Sequence, residues 1–263
     1  MPLSLSPSLR SDLVSRLRAA GCVFAEEEAG LIAAAARTPA DLAAMVERRS
    51  AGFPLEQVVG FAEFCGLRIA VEPGVFVPRR RTEFLVREAA AAARPGAVVV
   101  DLCCGSGAVG AALAAALGPV ELHAADVEAA AVACAARNVA PYGGRVYRGD
   151  LYAALPRALR GRVDVLVANA PYVPSGEIGL LPPEARDHEP LVALDGGADG
   201  LDVQRQVVAS AREWLAPGGR LLIETSGRQA PDTVAAFTRY GLEPRVAACP
   251  DLDATVVVGG LPA

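Results

Sequence analysis

The chain begins with a helical pattern of apolar positions. In its first segment, the apolar side chains recur at spacings of three and four residues and fall on one face of a helix: Leu9, Leu13, Val14 and Leu17. Ser6 precedes Pro7, an arrangement typical of an N-cap followed by the first helical residue. The pattern predicts an amphipathic helix from Pro7 to about Ala20.

Two more helices are predicted before residue 50. The first covers residues 25–36. The second begins after Thr38, which precedes Pro39 and lies three residues before Asp41. This spacing is close to a capping box, in which the side chains of the cap and of the third helical residue bind each other's backbone amides. It predicts a helix through Arg49.

Residues 55–78 change to a strand-like pattern. Their apolar positions suggest a short hairpin: Phe61, Phe64, Leu67, Ile69, Val71, Val75 and Val77. Glu72-Pro73-Gly74 is typical of a tight turn, and we expect it to join the two strands. Thr82 then opens a predicted helix that runs to about Ala93.

From residue 97 onward, short β-branched runs alternate with helical segments. The predicted strands cover residues 97–102, 120–125, 145–148, 163–168 and 219–224. The predicted helices cover residues 108–117, 128–138, 201–215 and 231–240. A final pair, at 245–248 and 254–258, is predicted to be antiparallel. Such alternation is typical of a mostly parallel sheet with helices on both faces, so the fold class is α/β.

Composition fits a globular chain that interacts little with nucleic acid. With 263 residues, 52% apolar and 21% charged, there is room for one large α/β domain and a smaller appendage. The net charge is −5 and lysine is absent. Binding a phosphate backbone requires clustered basic side chains, and the tightest cluster is Arg79-Arg80-Arg81. That run is either a solvated turn or a local basic patch, so no direct nucleic-acid partner is expected.

The cysteines and the N-terminal sequence favour a cytoplasmic protein. None of the six cysteines falls in a C-x-x-C pair, and only two histidines are present. This predicts reduced thiols and no metal site. The N-terminus lacks the charged start and long apolar run of a signal peptide, and no apolar run is long enough to span a membrane. We therefore expect a cytoplasmic protein without membrane association. We also expect it to be a monomer.

A glycine-rich loop follows the first strand of the alternating region. It reads Asp101-Leu-Cys-Cys-Gly105-Ser-Gly107-Ala-Val-Gly110. Glycines let a backbone pass close to a ligand, and the next helix presents its N-terminus to that ligand. The stretch Gly105–Gly110 also matches the dinucleotide fingerprint, so taken alone it equally fits a nicotinamide dehydrogenase. Asp101 favours S-adenosylmethionine (SAM), because a carboxylate there would repel a pyrophosphate but stabilise the SAM ammonium. Otherwise Asp101 only caps loop amides.

Two further carboxylates follow the next two strands. Asp126 ends the second strand, where a carboxylate can accept hydrogen bonds from ribose hydroxyls. Dehydrogenases and methyltransferases share this device, and Asp126 could instead cap the helix that begins near Glu128. Asp150 follows the third strand, where it could accept from the exocyclic amine of adenine or cap a loop.

The fourth strand ends in Asn169-Ala170-Pro171-Tyr172. An amide nitrogen is a poor nucleophile, because its lone pair is delocalised into the carbonyl. A site that methylates it must hold the NH₂ group by both hydrogens, which the Asn169 side-chain oxygen and the Ala170 carbonyl can do. Pro171 stiffens the turn, and Tyr172 offers a flat face to a planar amide or base. The simpler alternatives are a turn asparagine and a packing tyrosine.

At these residues the chain resembles the HemK/PrmC family of protein glutamine N5-methyltransferases, which modify the Gly-Gly-Gln glutamine of peptide release factors. The resemblance extends over nearly the whole chain. Residues 47–64 are similar to the family's linker region, Val77–Glu83 to its I-P-R-P-x-T-E segment, and Glu189–Leu194 to its E-P-x-x-A-L segment. The resemblance implies a class I SAM-dependent methyltransferase with a Rossmann-like seven-stranded sheet and a small N-terminal helical domain. SAM is then the cofactor, S-adenosylhomocysteine the product and a release factor the partner.

The same resemblance implies roles for individual residues. The methionine portion of SAM would lie on Gly105, Ser106, Gly107, Ala108 and Val109. Asp126 would bind the ribose, and Asp150 and Leu151 would lie near adenine. Asn169 would contact both cofactor and acceptor, with Ala170, Pro171 and Tyr172 around the acceptor amide. Glu83 would either support the cofactor pocket or serve only as a helix-start carboxylate.

Three departures from the family pattern concern the acceptor and the loop. The usual N-P-P-Y is Asn-Ala-Pro-Tyr here, so Ala170 keeps the carbonyl but the turn is less rigid. The second proline of P-R-P is Arg80. In the usual D-L-G-T-G, Cys103 replaces the glycine and Cys104 the threonine. These changes leave the class intact and allow a related branch with a different acceptor.

Several functions therefore stay open at the level of sequence. The first is methylation of a release-factor glutamine, and the others are methylation of a nucleobase amine, methylation of a small biosynthetic intermediate, or a non-catalytic SAM- or protein-binding relative. A pure binder or a dehydrogenase has no use for the Asn169–Tyr172 segment. We assign residues 1–54 to a substrate-recognition domain, 55–78 to a connecting hairpin and 79–263 to the catalytic domain.

Overall fold

The computed structural model describes residues 6–261. Four helices at the start pack around a small core of their own: α1 (Pro7–Ala19), α2 (Ala25–Ala35), α3 (Pro39–Ser50) and α4 (Leu55–Val59). The Ser6 hydroxyl accepts from the Leu9 amide, and the capping box of Thr38 and Asp41 forms. These local signals confirm the predicted helix starts. On the predicted apolar face Leu13 and Leu17 are buried, whereas Leu9, in the first turn, is 45% exposed.

The short helix α4 was not predicted, and the hairpin turn was placed wrongly. Strand β1 (Phe61–Phe64) pairs with β2 (Leu67–Ala70) across a turn at Cys65 and Gly66. The Glu72–Gly74 segment does turn, since the Val75 amide donates to the Glu72 carbonyl, but it follows the hairpin. Both hairpin-turn residues have positive φ. The apolar pattern continued past Ala70 because Val71, Val75 and Val77 are buried without forming a strand.

A buried ion cluster joins the N-terminal helices to helix α8 (Pro183–His188). The Arg49 guanidinium contacts Glu28 at 2.5 Å and Glu184 at 2.7 Å, and its side chain is 7% exposed. The ring of His188 stacks on Phe53 at a centroid distance of 4.0 Å. Since α8 leads directly into a wall of the cavity described below, these contacts fix that wall against the N-terminal helices.

Replacing Arg49 with methionine should destabilise the protein by about 3 kcal/mol, because Glu28 would stay buried without its partner. Glu184→Gln is the matched control: Glu184 is about half exposed, and losing that contact should cost less than about 1 kcal/mol. Urea unfolding of both variants measures the difference. Equal, small losses would contradict a structural role for the buried pair.

A seven-stranded sheet forms the rest of the molecule, in the order β5-β4-β3-β6-β7-β9-β8. Its strands are β3 (Val98–Leu102), β4 (Glu121–Asp126), β5 (Arg145–Arg148), β6 (Val163–Ala168), β7 (Leu215–Thr225), β8 (Glu243–Cys249) and β9 (Ala254–Gly260). Strands β3 to β7 are parallel to one another, and β9 is antiparallel to both β7 and β8. The predicted parallel sheet and its antiparallel end are confirmed.

Helices cover both faces of this sheet. On one face lie α5 (Glu83–Ala92), α6 (Ala108–Leu117) and α7 (Ala129–Val139), and on the other α9 (Asp202–Trp214) and α10 (Ala230–Arg239). From β3 the chain builds outward to β5 and then returns to place β6 on the other side of β3. Such a switch opens a crevice at the carboxyl ends of the central strands. None of the helices within residues 6–261 has the length and apolar character needed to cross a bilayer.

Candidate active site

A cleft lies at the carboxyl ends of β3, β4 and β6, where the strand order switches. The sequence-predicted residues that line it come from four loops: Asp101, Gly105, Ser106, Ala108, Val109, Asp126, Asp150, Leu151, Asn169 and Pro171. The remaining predicted residues, Gly107, Ala170 and Tyr172, lie outside this lining. The fold therefore brings together side chains that are up to 70 positions apart in the sequence, between Asp101 and Pro171.

Asp101 lies at the floor of the cleft and is 2% exposed. Its Oδ2 accepts from the Gly110 amide at 2.9 Å, so one of its two oxygens has the amide-capping role given above as the alternative. The other oxygen accepts no hydrogen bond from the described part of the chain. Burial raises the pKa of Asp101 to about 7, opposed by the Gly110 amide and helped by Asp126. A cation that reached the free oxygen would be bound strongly in this desolvated place.

The glycine loop takes the left-handed backbone that its sequence suggests. Cys103 has a φ of 54°, a conformation that is costly for any residue with a Cβ. A glycine would adopt this backbone conformation without that cost. Burial raises the pKa of both the Cys103 and Cys104 thiols, which stay protonated and unreactive.

Gly107 supports the loop from behind rather than lining the cleft. A Cβ built on it would lie 3.0 Å from the Ala135 Cβ and 3.2 Å from the Val139 Cγ1. Its φ is 76°. The absent Cβ lets α6 begin close against α7; contact of the Gly107 backbone with the cofactor stays a prediction.

Gly107→Ala should destabilise the protein by about 2–4 kcal/mol, the sum of a strained backbone and an overfilled contact. Gly143→Ala separates the two causes. Gly143 has a φ of 68° and a ψ of 16°, close to the 76° and 16° of Gly107, and open space within 4 Å of its added Cβ, so it reports the cost of the backbone alone. Thermal unfolding compares the two variants. Equal losses would exclude a packing role for Gly107.

Asp126 organises the cleft through backbone amides. Its Oδ2 accepts from the Gly105 amide and its Oδ1 from the Glu128 amide, each at 2.9 Å. Burial raises the pKa of Asp126, while these amides lower it. Each carboxylate oxygen can accept a second hydrogen bond, so the cap and a diol contact are compatible. The Asp126 carboxylate thus ties the glycine loop to the start of α7.

The opposite end of the cleft is formed by Gly149, Asp150 and Leu151. Asp150 is exposed, and Leu151 has a φ of 43°, which turns the chain sharply after β5. Tyr152 follows, buried, with its hydroxyl donating to the Val207 carbonyl at 2.7 Å. This hydrogen bond anchors the loop, and the Asp150 carboxylate and the Leu151 side chain both line the cleft.

The Asn169–Tyr172 segment continues β6 beyond its pairing with β7. Asn169 donates through Nδ2 to the Thr82 hydroxyl oxygen at 3.3 Å, and its Oδ1 accepts nothing from residues 6–261. Ala170 is 1% exposed. Tyr172 packs under the Arg81 guanidinium, 5.8 Å from the ring centroid. Burial and Glu224 raise the pKa of Tyr172 to about 12, so its hydroxyl stays protonated.

The backbone of this segment is held by the Gln229 side chain and lies close to two glycines. Gln229 donates to the Tyr172 carbonyl at 2.9 Å and to the Asp199 carbonyl at 3.0 Å. A Cβ on Gly196 would lie 2.7 Å from the Pro171 carbonyl oxygen, and one on Gly200 would lie 2.3 Å from that of Tyr172. These contacts supply rigidity that Ala170 does not.

The cleft also uses residues that sequence reasoning did not name as site residues. Phe76, Pro78 and Thr82 form one side, and Pro190, Val192 and Ala193 another. All of them except Phe76 belong to the two segments that resemble family motifs, and that resemblance was the available signal. The two sides are joined: Glu189 accepts from the Val77 amide at 3.0 Å and contacts Arg79 at 2.5 Å.

Glu83 has a different place from the one suggested for it. Its Oε1 accepts from the Cys65 amide at 3.0 Å and so holds the hairpin turn, and its side chain lies outside the cleft lining. Thr82, its neighbour in the chain, lines the cleft instead. Its observed contact, with the hairpin turn, is therefore a third role that neither alternative described.

Together, the strand order, the glycine loop and the carboxylates at successive strand ends define a class I SAM-dependent methyltransferase. A model of the methyltransferase small domain matches residues 66–179. A methyltransferase from Pyrococcus furiosus has a similar structure, with a TM-score of 0.56 and 16% identity over 74% of this chain and 88% of that one. That likeness supports the fold.

The chain belongs to the release factor glutamine methyltransferase family. It is 40% identical to a protein of that name from Geobacter sulfurreducens over 208 residues, covering 77% of this chain and 72% of the relative. It is also 38% identical to a 4-amino-L-phenylalanine/4-methylamino-L-phenylalanine methyltransferase from Streptomyces pristinaespiralis, over 74% of this chain and 69% of the relative. The protein is therefore a SAM-dependent N-methyltransferase.

Proposed function

We propose that this enzyme methylates the side-chain amide of the glutamine in the Gly-Gly-Gln loop of peptide chain release factors. The observation that supports this most is the Asn169 side chain. Its amide nitrogen is held by Thr82, and its oxygen accepts nothing from residues 6–261, at the edge of the cleft beside the glycine loop. An oxygen placed in this way is suited to accept from an NH₂ group.

The proposed reaction begins with two hydrogen bonds to the acceptor amide. The Asn169 oxygen accepts one hydrogen of the acceptor NH₂, and the Ala170 carbonyl, which is free of backbone partners in the described chain, accepts the other. Held in this way, the nitrogen presents its lone pair to the methyl carbon. The N–C bond forms as the S–C bond breaks, and the bonding electrons remain on sulfur. The cationic nitrogen then loses a proton to water, so no strong base is required.

The lining of the cleft fits SAM, which supplies an electrophilic methyl group when bound. The free oxygen of Asp101 is suited to its ammonium, and Gly105, Ser106, Ala108 and Val109 provide a close-approaching backbone for the methionine portion. Asp126 retains acceptor capacity for the ribose hydroxyls, and Asp150 and Leu151 suit adenine. Asn169 would contact both ligands.

A second candidate acceptor is an aromatic primary amine, favoured by the likeness to the Streptomyces pristinaespiralis enzyme. Such an amine is also planar and conjugated, and the same two oxygens could hold it. A nucleobase amine is a weaker candidate, because the net charge of −5 does not attract a phosphate backbone. We place the enzyme in the cytoplasm as a monomer, with residues 1–54 contributing to substrate recognition.

Transfer of radiolabelled methyl from SAM to purified release factor tests the proposal. Label should appear on the release factor and vanish when the Gly-Gly-Gln glutamine is replaced by alanine. Parallel reactions should contain 4-amino-L-phenylalanine or single-stranded oligonucleotides. If label appeared only in the amino acid, the acceptor would be an arylamine and not the release-factor glutamine. If label appeared only in the oligonucleotide, the acceptor would be a nucleobase.

A further inference from the structure

Glu224 is a buried carboxylate without a hydrogen-bonding partner. It is the second-last residue of β7 and is 2% exposed. Neither of its oxygens accepts a hydrogen bond of normal geometry from residues 6–261. Because Ala168 pairs with Ile223, Glu224 lies at the level of Asn169 on the neighbouring strand. A bare carboxylate in such a place is costly, so the groups around it require an explanation.

Three groups from two segments face this carboxylate. Arg81 Nε lies 3.6 Å from Oε1, at ion-pair but not hydrogen-bonding distance. Thr82 follows Arg81 in the chain, and its hydroxyl contacts Asn169, which lies level with Glu224 on the neighbouring strand. Burial raises the pKa of Glu224, and the Thr82 hydroxyl and Arg81 lower it. Tyr172 is near enough for Glu224 to raise the pKa of its hydroxyl. Arg81 is exposed and Tyr172 packs against it, whereas Thr82 is 2% exposed and also lines the cleft. Thr82 is thus the group placed between the carboxylate and the reaction.

The Thr82 hydroxyl connects Glu224 to Asn169. Its oxygen lies 3.3 Å from the Asn169 Nδ2. A hydroxyl has one hydrogen to donate, and an ionised carboxylate can only accept. If the hydroxyl donates to Glu224, its oxygen can only accept from Asn169. The asparagine must then turn its NH₂ group to Thr82 and its oxygen away.

We propose that Glu224 is a positioning residue for methyl transfer, which acts through Thr82 to fix the side-chain amide of Asn169 with its oxygen toward the acceptor. An asparagine amide is nearly symmetric in shape, so packing alone does not choose between its two orientations. The turned amide would present two hydrogens to an acceptor NH₂ and would repel it. The consequence for catalysis rests on the proposed function, but the orientation of Asn169 does not.

The sequence offers a clean spectroscopic test of that orientation. The chain contains only two asparagines, Asn138 and Asn169, so ¹⁵N labelling of asparagine gives two side-chain NH₂ pairs. Asn138 donates to the Ala70 and Ser106 carbonyls and serves as the internal control. Asn169→Ala identifies the other pair. Thr82→Val and Glu224→Met, which remove the donor and the acceptor of the proposed contact, should each shift the Asn169 pair and speed its hydrogen exchange, while Thr82→Ser leaves it in place.

The outcomes separate cleanly. A shift of the Asn169 pair in both variants, with the Asn138 pair unmoved, supports the proposal. An unchanged Asn169 pair in Glu224→Met overturns it, even if Thr82→Val shifts that pair, because the carboxylate would then have no part in the orientation. Movement of both pairs in Glu224→Met also counts against it, since the effect would be global.

Kinetics supply the second measurement. With release factor as acceptor, Thr82→Val and Glu224→Met should each lower kcat about tenfold and leave the Kd for SAM within about twofold. The kcat of the double variant should fall no further than that of the more impaired single variant, because both substitutions interrupt the same chain of contacts. Unchanged kcat in both single variants, with an active wild type, overturns the positioning role. An inactive wild type would refute the proposed acceptor, and the NMR spectra would still decide the orientation of Asn169.

Discussion

Replacing Asn169 with alanine should abolish methyl transfer while leaving SAM affinity nearly intact. Asn169 lines the cleft and its side-chain oxygen has no partner in the described chain, so its removal deletes the proposed acceptor hydrogen bond without touching the glycine loop. Loss of a group that positions a reacting atom costs at least about 10²-fold in rate. We therefore expect kcat to fall by at least that factor and the calorimetric Kd for SAM to change by less than about twofold.

Asn138→Ala provides the same chemical change with the opposite expected profile. Asn138 donates to the Ala70 and Ser106 carbonyls and thereby ties the hairpin and the glycine loop to α7. Its loss should lower the melting temperature and weaken SAM binding, with a smaller effect on kcat at saturating SAM. Equal loss of SAM affinity and turnover in Asn169→Ala would contradict the acceptor role of that residue.

Asp101→Asn should weaken SAM binding and, at the same time, stabilise the free protein. Asparagine still accepts from the Gly110 amide but no longer offers charge to an ammonium. A hydrogen bond between charged partners is worth about 1.5–3 kcal/mol, so the Kd for SAM should rise about 10- to 100-fold at pH 8. Asp164→Asn is the control, because Asp164 binds the Val98 amide at the opposite end of β3. It should leave SAM affinity unchanged.

The pH dependence follows from the raised pKa of Asp101. Its pKa is about 7 in the folded protein against an ordinary value of 3.8. The folded state therefore holds this proton more tightly than the unfolded chain, and stability is lost as the pH rises from about 4 to 7. Above that range the buried charge persists. Asp101→Asn should thus raise the melting temperature most at pH 8 and least near pH 4.

SAM binding has the opposite pH dependence. An ammonium beside Asp101 favours the ionised carboxylate, so binding at or below pH 7 must displace a proton. Affinity should fall as the pH drops below about 7, and the Asp101→Asn variant should lack this dependence. Calorimetry in two buffers of different ionisation enthalpy counts the protons released. The absence of proton release by the wild type at pH 6.5 would exclude Asp101 as the ammonium ligand.

The sequence alone determined most elements of the fold and the neighbourhood of the cleft. Local signals were sufficient for the capped helices, since a cap depends on residues within one turn. The alternation of strands and helices predicted a parallel sheet, and parallel strands place their carboxyl ends on one edge. For that reason Asp101, Asp126, Asp150 and Asn169 could be grouped in advance, and the structure brings all of them to the cleft lining.

The tertiary structure alone decided which neighbouring residue faces the cleft. Thr82 rather than Glu83 lines it, Gly107 packs against α7, and the hairpin turns at Cys65 rather than at Glu72. A buried valine has the same pattern in a strand as in a packed loop, and a glycine is equally suited to bind a ligand or to admit a helix. Glu224 is the clearest case, because its place behind Thr82 depends on the pairing of two strands that lie about 50 residues apart in the sequence. Sequence periodicity specifies which face of an element is buried, whereas contacts between distant elements specify what each buried side chain meets.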